Sequence, residues 1–189
     1  NVLGVALEGQ GKLEDSLVAY RTTTQKDPNH VDAYHNTAIL LSRLGRFEEA
    51  REKYNKIIEL TADDADAHNN LGVVLQNLIQ HSLAVTHLQK AVDLQSGNAS
   101  AFFNYANSLK ELGENDKALL NYDQSLRINP SFSISYNNRG SLLESMSRYE
   151  DAQRSYTSAI KLDPKYVAAY SNRGGVEKKL GNYVQAASD

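Results

Sequence analysis

Five asparagines, Asn36, Asn70, Asn104, Asn138 and Asn172, follow one another at intervals of 34 residues. A primary amide carries two N–H donors and a carbonyl acceptor, so a row of them can pair with both the N–H and the C=O of an extended backbone. Asn is a poor helix former, by roughly half a kcal/mol relative to Ala, so helix propensity does not account for the column. Recognition of a polypeptide backbone is the chemistry this spacing suits.

Other constellations that could do chemistry fall away on inspection. His30, His35, His68, His81 and His87 contain no i, i+4 pair backed by a carboxylate in the manner of a zinc site. The run Gly9, Gln10, Gly11, Lys12 lacks two parts of a phosphate loop, since Ala6 replaces its first Gly and Leu13 its Ser or Thr. No nucleophile and base pair stands out, and the absence of cysteine removes disulfides, thiolate ligands and cysteine nucleophiles. Asn98, Ala99 and Ser100 form a lone glycosylation sequon, which is read as an ordinary turn. The segment is expected to be non-catalytic, with no cofactor and no metal.

The elements that position the amides follow from the same period. With residue 31 as position 1, units restart at 65, 99, 133 and 167 without insertion or deletion. Position 4 is Tyr34, His68, Phe102, Tyr136 and Tyr170; position 8 is Ala38, Gly72, Ala106, Gly140 and Gly174. Position 20 is Ala50, Ala84, Ala118, Ala152 and Ala186, and position 24 is Tyr54, Leu88, Tyr122 and Tyr156. Gly4, Leu7, Ser16, Tyr20 and Pro28 fit positions 8, 11, 20, 24 and 32 of an earlier, partial unit. Apolar residues at intervals of three and four, such as Tyr34, Ala38, Leu41 and Leu44, mark one stripe of an amphipathic helix. A second stripe from Phe47 to Leu60 follows the turn at Gly45, and Gly11, Gly113 and Gly181 recur at equivalent turns. Pro28, Pro130 and Pro164 fall between units, where a missing N–H is harmless. Each unit therefore reads as a helical hairpin, with helix A approaching helix B where positions 8 and 20 are small.

At these columns the chain resembles the tetratricopeptide repeat family, whose pattern places bulky, small, Ala, aromatic and Pro residues at such offsets. The resemblance implies an all-α, right-handed superhelical solenoid of antiparallel helix pairs with about five and a half repeats. Its units are a partial repeat at 1–30, repeats at 31–64, 65–98, 99–132 and 133–166, and a partial repeat at 167–189. It also implies that helix A lines the concave surface, with positions 2, 5, 6, 9, 12 and 13 turned inward. The Asn column stands at position 6. In this it is similar to the repeats of O-linked N-acetylglucosamine transferase and to importin-type solenoids, which hold extended protein segments. The Lys and Arg clamp of relatives that bind chaperone C-termini is missing, because Asp66, Ser100, Ile134 and Ala168 stand at position 2 and Asn at position 6.

The expected ligand is a protein or extended peptide. Equivalent helices about 10 Å apart and a ligand rising about 3.3 Å per residue give one amide to every third ligand residue. The variable groove neighbours are Asp32, His35, Asp66 and Asn69 early in the chain, Phe103, Asn107, Ile134 and Asn137 in its middle, and Lys110, Lys178 and Lys179 late. Basic ligand residues are expected near Asp32 and Asp66, an apolar one near Phe103, and acidic ones near Lys178 and Lys179.

Composition sets the remaining limits. A hydrophobic fraction of 41% with 23% charged residues is that of a globular chain, and no apolar run is long enough to span a bilayer. The net charge of −3 gives no reason to expect nucleic acid. A cytoplasmic location is expected from the missing cysteines. Asn1 already stands at position 5 and Asp189 falls within a helix B, so the chain reads as a segment of a longer protein. Two rival roles follow: the substrate-selecting arm of a larger enzyme such as a glycosyltransferase, and an assembly module that stacks end to end. Departures from the pattern are Ile79 in place of a turn Gly, Ser96 and Gly97 in place of the Pro region, and Glu177 at position 11. The 65–98 unit is therefore expected to pack differently or to be more mobile, and Glu177, which would need a partner if it faced a core, is expected to meet water at a fraying end.

Overall fold

The computed structural model describes residues 1–181. Among them are eleven helices and no strand: α1 (Val2–Gly9), α2 (Leu13–Lys26), α3 (Val31–Arg43), α4 (Phe47–Leu60), α5 (Ala65–Asn77), α6 (His81–Leu94), α7 (Ala99–Glu111), α8 (Asn115–Ile128), α9 (Ser133–Ser145), α10 (Tyr149–Leu162) and α11 (Val167–Lys179). Odd-numbered helices are the A helices of the repeat and even-numbered ones the B helices. The column member Ala186 and the terminal Asp189 lie outside the described residues.

The chain forms two compact units, Asn1–Ser96 and Gly97–Asp189. Within the first, each helix from α1 to α6 packs on the next; within the second, the same holds from α7 to α11, and α9 also touches both α7 and α11. The helices start and stop for local reasons. Asp64 and Asn98 cap α5 and α7, their side-chain oxygens accepting from the N–H of Ala67 at 2.8 Å and of Ala101 at 3.1 Å. The sequon asparagine is thus a helix cap. Ahead of α3, α9 and α11, Asp27, Asn129 and Asp163 each accept from the N–H two residues on, closing Asx turns around Pro28, Pro130 and Pro164.

Every A helix ends in the same backbone motif. Gly11, Gly45, Gly113 and Gly181 have φ between 73° and 81°, and Ile79 and Ser147 take the same left-handed conformation at 59° and 60°. The following N–H reaches back to the A helix, as Arg46 N does to Leu41 O at 2.9 Å and Gln80 N to Leu75 O at 2.8 Å. The absence of Gly at 79 therefore does not change the turn. Nor does the 65–98 hairpin pack differently, for α5 meets α6 through Gly72 and Leu88 as α9 meets α10 through Gly140 and Tyr156.

The core is the small and aromatic column. Ala50, Ala84, Ala118 and Ala152 are inaccessible, and Tyr20, Tyr54, Leu88, Tyr122 and Tyr156 are buried beside them. Each such ring or leucine contributes about 1.5 to 3 kcal/mol by leaving water. A Cβ on Gly72 would stand 2.4 Å from Leu88 Cγ, and one on Gly140 would stand 2.6 Å from Tyr156 Cε1, so the close approach needs Gly there. Two expectations change. The position 4 rings of Tyr34, Phe102, Tyr136 and Tyr170 are only half-buried, while Ala33, Ala67, Ala101, Ser135 and Ala169, one residue earlier, are fully buried. Glu177 does not face water: it is 2% exposed, and its Oε1 accepts from Gln153 Nε2 on α10. Packing of α11 on α10 carries the position inward, where the amide satisfies Oε1 while Oε2 is buried with no hydrogen-bond partner among the described residues.

Candidate functional site

In the first unit Asp32, His35, Asn36, Asp66 and Asn70 line open space, and Asn69 lies outside both of the cavities they border. A cavity of about 440 Å³ is bounded by Asn1, Asp32, His35, Asn36, Ile39, Asp66 and Asn70. A second, of about 520 Å³, shares Ile39 and Asn70 with it and is lined further by Phe47, Tyr54, Val73 and Val74. Asp32 and Asp66 are exposed and stand in the first turns of α3 and α5. His35 is less free: its Nε2 lies 2.8 Å from Asp64 Oδ2, tying α3 to the cap of α5. Burial tends to raise the Asp64 carboxyl, but the Ala67 N–H and the His35 ring outweigh it and hold it below the usual carboxylate range.

Asn36, Asn138 and Asn172 join their A helices to the preceding one, whereas Asn70 is bonded to an asparagine of its own helix. Asn36 Nδ2 donates to Asn1 Oδ1 at 2.9 Å, and Asn69 Nδ2 donates to Asn70 Oδ1 at 3.2 Å. In the second unit Asn138 Nδ2 donates to Asn107 Oδ1 at 3.1 Å, and Asn172 Nδ2 to Asn137 Oδ1 at 3.0 Å. Asn104 is likewise engaged within the chain. The Tyr column joins them. Tyr122 Oη donates to Asn107 Oδ1 at 2.5 Å, the oxygen that also accepts from Asn138, and the Tyr54 phenol stands beside Ser42 and then Asn70, as that of Tyr122 stands beside Asn138, each favouring the ionised form. Burial pushes the Tyr54 phenol up to about 12 even so, and pushes Tyr122 higher still. The constant spacing of 16 residues from Tyr54 to Asn70 and Tyr122 to Asn138 is the signal that could have revealed this link.

The other expected residues divide between groove and scaffold. Asn137 is 8% exposed and braces Asn138 and Asn172, so it offers little surface. Phe103 is half-buried against Phe132 and Tyr122, at centroid distances of 5.0 and 6.1 Å. Lys110 lies 3.7 Å from Glu111. Lys178 is exposed, whereas Lys179 is held by Glu144 at 2.9 Å and rests over the Tyr149 ring. The residue that composition alone missed is His87. His68, expected as a packed ring, is 7% exposed, and its Nδ1 lies 3.0 Å from His87 Nδ1 while its Nε2 meets Ala62 O at 3.1 Å. A carbonyl only accepts, so His68 carries its proton on Nε2 and His87 donates from Nδ1. Positions 4 and 23 of one hairpin face each other, which is why both histidines meet.

Family models described as TPR repeat and tetratricopeptide repeat match residues 19–52, 40–78, 65–98, 99–132 and 133–166. The chain belongs to the tetratricopeptide repeat family. The fold is that of a protein–protein interaction scaffold, a class that is generally non-catalytic. No curated protein matches the chain. Among solved structures it is similar to YrrB, a TPR protein with an unusual peptide-binding site, at 25% identity and a TM-score of 0.76, covering 88% of this chain and 86% of that one. It is also similar to MamA, at 24% identity and a TM-score of 0.81, with 87% and 96% covered. PilW, a widely conserved type IV pilus biogenesis factor, shares the fold with a TM-score of 0.87 at 16% identity, with 98% and 86% covered. No helix among the described residues is long and apolar enough to cross a membrane.

Proposed function

We propose that this tetratricopeptide repeat chain binds an extended segment of a partner protein along its A-helix face, with the asparagines as backbone contacts. The observation that carries the reading is the first unit's pair of adjoining cavities, bounded by Asn36 and Asn70 at the same repeat position. The likeness to YrrB, a TPR protein with a peptide-binding site, supports it. Asn36 spends one N–H on Asn1, and an amide with two N–H groups and a carbonyl has further capacity for a ligand. Asn36, Asn138 and Asn172 are each oriented by an asparagine outside their own helix, and Asn70 by Asn69 beside it, which lowers the cost of ordering them on binding.

The test is selection of binders from a random dodecapeptide display library on the full chain, followed by anisotropy measurements with Asn36→Ser, Asn70→Ser, Asn138→Ser and Asn172→Ser. The expected result is a loss of about tenfold or more in affinity, roughly 1.4 kcal/mol, for at least one amide. Folded variants that all bind as the parent does would rule out the amide contacts.

A second reading has its own observation. On α1, Val2, Leu3 and Val5 are 86%, 65% and 52% exposed, an apolar face that self-association would cover. Light scattering that grows with concentration and is abolished by Val2→Ser with Leu3→Ser would support stacking; a constant mass would exclude it.

A further inference from the structure

The two cavities of the first unit differ in character, and the difference specifies a ligand. The first cavity has two carboxylates on its rim, Asp32 and Asp66, both exposed and neither in an ion pair among the described residues. No Lys or Arg lines it. The second cavity is an apolar trough. Ile39, which is 42% exposed, and the half-buried Val73 and Phe47 form its walls, with the buried Val74 as its floor. Arg43 at its border is already paired with Glu8. Ile39 and Asn70 belong to both cavities, so one ligand can occupy them together.

Resting on the peptide-binding reading above, we infer that this groove selects an extended segment in which a large aliphatic or aromatic residue stands two or three positions from a Lys or Arg. In this groove the ligand lies along α3 and α5, not across successive A helices as the amide spacing alone would have it, and the spacing of its anchors follows from helix geometry. Asp32 and Ile39 are separated by seven residues of α3, about 10 Å along its axis at 1.5 Å per residue. An extended ligand covers that distance in about three residues, and the long stem of Lys or Arg makes up for one residue fewer. The apolar side chain fills the trough between Ile39 and Val73. The cation stands between Asp32 and Asp66, whose repeat positions are the same and whose charges have no cation of their own to meet. Asn36 and Asn70, between the two anchors, face the ligand backbone. The corresponding position 2 residues of the second unit are Ser100, Ile134 and Ala168, so this preference belongs to the first unit alone.

Asp32 and Asp66 also lie at the positive ends of their helices, where a carboxylate is favourable without any ligand. The test must separate the two roles. Dodecapeptides are selected from a random display library on the full chain, and the best binders are then measured by fluorescence anisotropy against the parent, Asp32→Asn with Asp66→Asn, and Ile39→Ser. Helical content and melting of each variant are followed by circular dichroism. The expected selection enriches Lys or Arg two or three positions from Leu, Ile, Phe or Met. The double Asn variant is expected to bind such peptides at least about tenfold more weakly, with a shallower salt dependence, and Ile39→Ser to lose a similar factor. Peptides that require Asn36 or Asn70 but carry no basic residue, or that bind the double Asn variant as tightly as the parent, overturn this inference and leave the peptide-binding reading intact. A library that yields no binder, or binders indifferent to every groove substitution, overturns both.

Discussion

The hairpin of α5 with α6 and that of α9 with α10 share a backbone and a close-packed core of Gly and Ala, and differ in the polar groups around them. Both turn through a non-glycine residue in the left-handed region, Ile79 and Ser147, and both close with the same reach back to the A helix, Gln80 N to Leu75 O at 2.8 Å and Arg148 N to Leu143 O at 2.9 Å. Both bring a Gly against the large residue at position 24. Yet Leu88 needs no polar partner, whereas the Tyr156 hydroxyl donates to Glu144 at 2.9 Å, and burial together with that carboxylate pushes the phenol far above its ordinary value. Polar groups inside the first hairpin form a histidine pair, while in the second Arg139 reaches Ser155 on α10 at 2.7 Å and also Asp123 on the preceding α8 at 2.6 Å. The close approach and the turn are what the repeat demands; the polar pairings are local solutions around them.

The largest losses are expected at position 24. Tyr156→Ala is expected to cost about 3 to 5 kcal/mol and Leu88→Ala about 2 to 5 kcal/mol, by lost burial and the cavity left behind. Urea denaturation followed by circular dichroism measures both, and losses below about 1 kcal/mol would show that the column is not the core. Next come the glycines. Gly72→Ala and Gly140→Ala each force a ring or leucine to shift, at an expected cost of about 1 to 3 kcal/mol. Gly175, with open space around a would-be Cβ, serves as the control and should tolerate Ala.

The turns give a smaller effect of opposite sign. Ile79 is 80% exposed, so its side chain loses little on removal, while its β-branched backbone is strained at φ 59°. Ile79→Gly should stabilise by about 1 kcal/mol, and Ser147→Gly by less; a destabilised Ile79→Gly melt would mean the isoleucine has a packing role after all.

The mildest contrast is with pH. Burial, and then the neighbouring His68, hold the His87 pKa below its ordinary 6.5. Between the lowered folded value and 6.5 the unfolded chain binds more protons, so stability is fully present above 6.5 and is lost as pH falls through that window. The ion pair of Asp63 with Lys90 at 2.9 Å lies beside the histidines and keeps its charges throughout. Melting temperatures measured from pH 7.5 to 5 should fall, and the His87→Gln variant should flatten that slope; an unchanged slope would assign the effect elsewhere.

Much of this was legible beforehand because a strict period makes each column an independent statement. Ala at position 20, an aromatic at 24 and Gly at the turns specify a hairpin by size and backbone freedom alone, and the structure places them so. The 65–98 hairpin misled because Ile79 and Ser96 were weighed as sequence departures, whereas the backbone bond from Gln80 to Leu75 enforces the turn whatever side chain stands there. Glu177 misled for a related reason: its column is buried by helix packing, and only the structure shows Gln153 on α10 within reach.

The sequence by itself determined the hairpin repeat, the core columns and the row of amides, since these depend on side-chain size, helix periodicity and spacing along one chain. Tertiary structure alone decided which amides brace their neighbours, that Tyr54 and Tyr122 reach the next asparagine, that His68 meets His87, and that an apolar trough adjoins two unpaired carboxylates. Those features depend on distances between helices 16 to 35 residues apart in sequence, and hydrogen bonding at about 3 Å is too short-ranged for a repeat pattern to resolve.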